Sequence, residues 1–237
     1  MPITTVLFDL DGTLLPMDQD VFVKGYMTLL ATRMAPYGYE PKALVKAIWD
    51  GTTAMVKNDG AKTNEEVFWD CFSVPYGEKA VTDKPIIDDF YREEFCKARS
   101  ACGFNPQAAE AVKAIQDMGL TVALATNPLF PAAATRHRIR WAGLNPEDFA
   151  LYTTYENSCH CKPNLEYYKD VIRELGVSAE ECLMVGNDVQ EDMVAEKLGM
   201  KVFLLTDCLI SRTEEDLSRY PQGSFTELLD YIRQISR

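Results

Sequence analysis

The sequence has no apolar run approaching the roughly 20 residues that a membrane-crossing helix needs, which argues against a helical integral membrane protein. The first apolar run, Val6-Leu7-Phe8, is too short for a secretory signal, and no basic stretch precedes it. Paired cysteine spacing is lacking: the seven residues are scattered and odd in number, which argues against a disulfide framework. A reduced, cytoplasmic setting is the expectation. Basic side chains are short as well, 24 against 36 acidic ones, for a net charge of −12. A field of that sign repels polyanions, so nucleic acid and anionic membrane surfaces are not expected partners. It does not exclude a small phosphate ligand, because a metal and one or two local cations can reverse the sign inside a cleft. Neither an internal repeat nor a low-complexity segment is visible, and no convincing strand lies between about Asp18 and Ser100.

What is present is the composition of an ordinary globular chain. The 237 residues are 47% hydrophobic and 25% charged, enough for one doubly wound domain or a core with a smaller insertion. Ile3 to Phe8, β-branched and aromatic, predicts a buried strand that ends in the polar turn Asp9-Leu10-Asp11-Gly12-Thr13. Helices are then expected around Val21–Met34, over Lys42–Met55, over Asn64–Phe72 and over about Pro85–Arg99. From residue 105 the pattern changes. Asn105-Pro106 starts a helix whose apolar stripe is Ala108, Ala111, Val112, Ile115 and Met118. Leu120–Ala125 is the next strand, followed by a helix over Pro131–Trp141 and a short strand near Ala150–Tyr152. Pro163 opens a helix through Leu175, and Cys182–Val185 is a strand. Asp192–Leu198 is helical, Lys201–Leu205 is the last clear strand, and Ser224 with Glu227 forms a capping box on the terminal helix.

Short buried strands alternating with helices predict an α/β fold, a doubly wound parallel sheet. The expected core is 1–17 with 101–237, and 18–100 is an inserted α-helical unit. Ligands of such sheets bind beyond the carboxyl ends of the strands. The polar residues expected there are Asp9, Asp11, Thr126, Asn127, Asn187 and Asp188, with Lys162 in the loop before the Pro163 helix. Carboxylate oxygens suit a hard cation such as magnesium. The cation, hydroxyl and amide suit the oxygens of a transferring phosphoryl group.

In this order the motifs resemble those of the haloacid dehalogenase-like hydrolases. Asp9-Leu10-Asp11-Gly12-Thr13-Leu14 is similar to the family's first motif and Thr126-Asn127 to its second. Lys162-Pro163 is similar to the third, and Gly186-Asn187-Asp188 with Asp192 to the fourth. The resemblance implies a Rossmann-like core with a helical cap, and a magnesium-dependent phosphatase acting on a small phosphorylated metabolite as a monomer or homodimer. Asp9 would attack phosphorus to form an aspartyl-phosphate, and Asp11 would protonate the leaving oxygen and then activate water. Thr126 and Asn127 would hold phosphoryl oxygens, while Lys162 would neutralise charge. Asp9, the main-chain carbonyl of Asp11, and Asp188 would hold Mg²⁺, with Asp192 as helper. One departure from the family pattern is that Asn187 stands where many relatives carry Asp. Asp188 is the favoured ligand and Asn187 the alternative.

Other readings stand beside these. A phosphosugar mutase, a phosphonate hydrolase using Lys24 or Lys57, a dehalogenase and a non-catalytic phospho-ligand binding protein all fit the same scaffold. Cys159-His160-Cys161 is read as incidental, because zinc sites use spaced pairs. His137 with Arg136, Arg138 and Arg140 is read as a solvated helix face, and Phe68, Trp69 and Phe72 as packing of the inserted helices.

Overall fold

In the computed structural model, residues 2–214 and 216–236 are described. Strand β1 covers Thr5–Phe8, and every one of its side chains is buried. The chain then runs through helices α1 (Gln19–Met34), α2 (Pro41–Val56), α3 (Asn64–Phe72) and α4 (Glu78–Asp89) before returning to the sheet. Each of the first three starts where a side chain accepts a first-turn N–H: Asp18 for α1, Glu40 for α2, and Thr63 in a reciprocal pair with Glu66 for α3. Helix α4 differs from the sequence expectation. It begins at Glu78, so Pro85 lies inside it rather than at its start. Proline cannot donate to the carbonyl one turn back. The i,i+4 pairs Lys79–Asp83 and Lys84–Asp88 flank that gap. A wide turn over Phe90–Glu94 and a 3₁₀ segment over Phe95–Ala101 complete the helical stretch between β1 and α5.

The remainder alternates strand and helix. In order come α5 (Pro106–Asp117), β2 (Thr121–Leu124), α6 (Ala132–Trp141), α7 (Leu165–Leu175), β3 (Cys182–Gly186), β4 (Lys201–Leu205), β5 (Gln222–Gly223) and α8 (Phe225–Ile235). The five strands are parallel in the order β2-β1-β3-β4-β5. The strand expected near Ala150–Tyr152 is reduced to one bridge between Leu124 and Tyr152. Residues 192–198 form a 3₁₀ turn over Met193–Leu198. The Pro163 helix begins at Leu165, with Asn164 accepting from Glu166 N–H.

Alternate side chains of a strand face opposite ways, and the sheet is covered on both sides. Val6, Phe8, Leu124, Val185 and Phe203 belong to one apolar cluster, which continues through Leu10 and Leu14 into Phe22 and the inserted helices. Leu7, Ala123, Met184 and Leu204 face the other way, against Tyr167, Tyr168 and Met193. Because β1, β2 and β3 run in register, their last residues, Phe8, Leu124 and Gly186, leave the sheet at one edge. No helix among the described residues is long and apolar enough to cross a membrane.

Candidate active site

Asp9 follows β1 and still donates its main-chain N–H to Val185 on β3, at 2.9 Å. That bond fixes the residue in the middle of the sheet edge. Its carboxylate is buried and held at both oxygens. Lys162 Nζ donates to Oδ1 at 2.9 Å, and Thr13 Oγ1 donates to Oδ2 at 3.2 Å. The Lys162 side chain is fully buried and makes a second pair with Asp192 Oδ1, at 2.7 Å. Asp192 Oδ2 in turn accepts from the Asp188 N–H at 3.0 Å. Burial alone would lower the Lys162 ammonium, but Asp192 and Asp9 outweigh it and hold it well above the usual lysine range. Burial pushes the Asp192 carboxyl up, and Lys162 opposes that shift.

Asp11 lies two residues on and is held differently. One oxygen accepts from the guanidinium of Arg138 on α6, while Oδ1 is buried without a partner among the described residues. Burial pushes its carboxyl up, Arg138 pulls it down, and the charge of Asp9 adds to the rise. Arg138 corrects a sequence reading. It does not lie on a solvated face but is 1% exposed, bonded to Thr135 and stacked 4.4 Å over the Phe130 ring. The signal was available. Ala134, Thr135, Ile139 and Trp141 form the buried face of α6, and position 138 falls among them.

The turn after β3 separates two neighbouring residues. Asn187 Oδ1 accepts from the same Thr13 hydroxyl that serves Asp9, at 2.9 Å, and its Nδ2 donates to the Cys208 carbonyl. Asp188 is engaged elsewhere: Oδ1 takes the N–H groups of Gln190 and Glu191, each at 3.0 Å, and Oδ2 takes Arg212 at 2.5 Å. The contacts thus bring Asn187, rather than the favoured Asp188, into line with Asp9. Gly12 makes room for this. It has φ +87°, and a Cβ there would lie 2.3 Å from Asn187 Nδ2. Gly12→Ala is expected to cost about 2–4 kcal/mol of stability through left-handed strain and overpacking. Urea midpoints would check it; an unchanged midpoint would mean that the two turns are not packed so tightly.

Thr126 and Asn127 follow β2. Thr126 is buried, and its carbonyl accepts from Thr153 Oγ1 at 2.6 Å and Tyr167 Oη at 2.8 Å. Asn127 accepts the Lys162 N–H at 3.3 Å and donates to Glu191 Oε2 at 3.0 Å. No sequence motif points to Glu191. Burial pushes its carboxyl up. Phe68, Trp69 and Phe72 line an apolar cavity of about 30 Å³ with Tyr26, Leu129 and Tyr155, between the insertion and the core. Lys24 and Lys57 are both exposed.

A magnesium ion asks for oxygen donors, one or two of them carboxylates, with phosphate oxygens and water completing its shell. Among the described residues, no group of three or more His, Cys, Asp or Glu side chains could hold a metal by itself. The Asp9 carboxylate and the Asn187 amide oxygen converge on Thr13, and the main chain of Asp11 is adjacent. That donor set is all oxygen, the kind a hard ion takes.

Residues 3–199 match the sequence model of the haloacid dehalogenase-like hydrolases. The chain belongs to that family. A ribulose-1,5-bisphosphate 5-phosphatase of Halopiger xanaduensis is 23% identical over 222 residues, 91% of this chain and 90% of that one. Two further curated relatives, 29% and 26% identical, are matched over shorter stretches, and the chain spans 50% and 58% of their length. Among solved structures, a HAD phosphatase from Thermococcus onnurineus superposes with TM-score 0.59 at 17% identity, over 97% of this chain and 98% of that one. A 2-haloacid dehalogenase from Pseudomonas syringae pv. Tomato DC3000 superposes with TM-score 0.65 at 19% identity, over 98% and 99%. The family fold thus carries both chemistries, and the side chains must separate them.

Proposed function

We propose that this hydrolase cleaves a small phosphate monoester, with Asp9 as nucleophile and Asp11 as general acid and base. The observation that carries this reading is the unequal treatment of two neighbouring carboxylates. Asp9 is held at one oxygen by the buried Lys162 ammonium and at the other by the Thr13 hydroxyl, which fix the carboxylate in place as an attacking group. Asp11 is half-buried; burial pushes its carboxyl up against the pull of Arg138, and Oδ1 has no partner among the described residues, which leaves a place for the proton a general acid carries. Attack by Asp9 Oδ on phosphorus forms the aspartyl-phosphate and breaks the bond to the leaving oxygen, which takes the Asp11 proton. Asp11 then takes a proton from the water that hydrolyses the acyl phosphate. Lys162 stays charged throughout and offsets the negative charge gathering on Asp9 and the phosphoryl oxygens. Thr126 and Asn127 orient those oxygens. Residues 18–100 act as a cap over the site that selects the leaving group and excludes water.

A departing halide is a stable anion and needs no proton, so an acid at Asp11 favours ester cleavage over dehalogenation. The phosphatase relatives support the same reading. The test is turnover of a nitrophenyl phosphate with Mg²⁺, beside halide release from a 2-halo acid. Phosphate release alone is expected; halide release without phosphate release would overturn the proposal.

Mg²⁺ would be held by Asp9, the main-chain carbonyl of Asp11, and Asn187, and would supply positive charge to the phosphoryl oxygens. Asp188 would instead order the turn through Arg212 and two N–H groups, and Asp192 would act through Lys162. In a calorimetric titration with Mg²⁺, Asn187→Ala should weaken binding by at least about tenfold and Asp188→Asn by less. The reverse ranking would return the ligand role to Asp188.

A further inference from the structure

Asn64 opens α3 and is fully buried, at 0% exposure. A buried primary amide must satisfy an oxygen and two N–H protons. The oxygen is satisfied within the insertion, where Asn58 Nδ2 donates to it at 2.9 Å. The nitrogen points out of the insertion, into the core. Its neighbours are the carbonyl of Pro128 at 3.4 Å, the carbonyl of His160 at 3.3 Å and Cys161 Sγ at 3.3 Å. Pro128 directly follows Asn127, and Cys161 directly precedes Lys162. One amide therefore touches both loops that carry the phosphate-binding groups. The main chain reinforces it. The N–H groups of Asn64 and Glu65, which a helix start leaves without helical partners, donate to Ser158 and Tyr155 carbonyls at 2.8 Å each. Beside them the His160 ring packs over Gly60, where a Cβ would approach Nε2 to 2.6 Å, and its Nδ1 is held by Asp170 at 2.7 Å.

We infer that Asn64 is a positioning residue that clamps the loops bearing Asn127 and Lys162 to the docked insertion, so that the phosphate site is complete only with the insertion in place. This rests on the proposed phosphatase reading for its functional meaning, but the clamp itself does not. Asn64→Ala removes the donors and leaves Asn58 and three core acceptors facing a void. Asn64→Asp keeps the oxygen for Asn58 but turns an acceptor toward the carbonyls and sulfur, so it should loosen the loops at least as much. Thr63→Val is the control: it removes the hydroxyl that accepts from the Glu66 N–H at 3.2 Å and leaves the Asn64 amide alone.

Hydrogen–deuterium exchange of the three variants decides the matter without reference to activity. In both Asn64 variants, segments 127–131 and 155–162 should exchange about tenfold faster than in the wild type, with the sheet unchanged. Thr63→Val should destabilise the protein yet keep both segments protected. On nitrophenyl phosphate, kcat should fall about tenfold in the Asn64 variants and stay near wild type in Thr63→Val, the cost of one lost buried hydrogen bond. Wild-type protection of either loop in Asn64→Ala, wild-type behaviour of Asn64→Asp, or equal loosening in Thr63→Val would each overturn the inference. A wild-type protein without phosphatase activity would instead sink the functional reading, and exchange would still decide the clamp.

Discussion

Asp9→Asn is expected to keep the fold and lose turnover by at least roughly 10⁴-fold, the scale on which removal of an attacking side chain registers. The amide is close in shape to the carboxylate, so Thr13 and Lys162 keep a neighbour in the same place. It carries no negative charge and cannot form an acyl phosphate. Thermal unfolding should therefore shift far less than activity. A folded Asp9→Asn protein retaining a tenth of the wild-type rate would mean that the attacking group lies elsewhere.

Lys162→Met should have the largest effect on stability of any single change at the site. Lys162 Nζ sits between Asp9 at 2.9 Å and Asp192 at 2.7 Å, with its own side chain wholly buried. Methionine has similar length and no charge. It leaves two carboxylates facing one another without a cation. Removing one partner of a buried ion pair typically costs about 3–5 kcal/mol, because the remaining charge stays desolvated. Adding Asp192→Leu should recover part of that stability and none of the activity. Chemical denaturation of the single and double variants would check this. A loss under about 1 kcal/mol in Lys162→Met would show that water reaches the pair and that Lys162 does not balance charge on Asp9.

The parts of this protein that could be read from its sequence are those where one residue type has one use. β1 to β4 are short runs of buried side chains, and each of β1, β2 and β3 gives way to polar residues at the sheet edge. Asp9, Asp11, Thr126 and Asn127 follow from that geometry, since parallel strands in register bring distant residues to one edge, whereas Lys162 lies in a loop and was marked only by its resemblance to a family motif. What could not be read depends on direction within a turn. Asn187 and Asp188 are adjacent, yet one meets Thr13 and the other Arg212, and no periodicity separates them. β5 is only Gln222–Gly223, paired with β4, and carries no apolar signal. Helix α4 begins well before its proline because its flanking i,i+4 ion pairs and buried Ala80 and Ile87 outweigh one missing N–H. Arg138 was obscured by its basic neighbours, although its place on the buried face of α6 was legible. Asn64 gave no signal, because its core partners are two carbonyls and a sulfur 64 to 97 residues away.

The most direct test of the account is to trap the covalent step. Protein mixed with excess nitrophenyl phosphate and Mg²⁺, quenched in acid during turnover and digested, would be mapped by mass spectrometry. The account predicts one phosphoryl group on the peptide carrying Asp9, removed by hydroxylamine as an acyl phosphate is, and absent from Asp9→Asn. Steady turnover with no labelled peptide, or with the phosphoryl group on a residue other than Asp9, would contradict it.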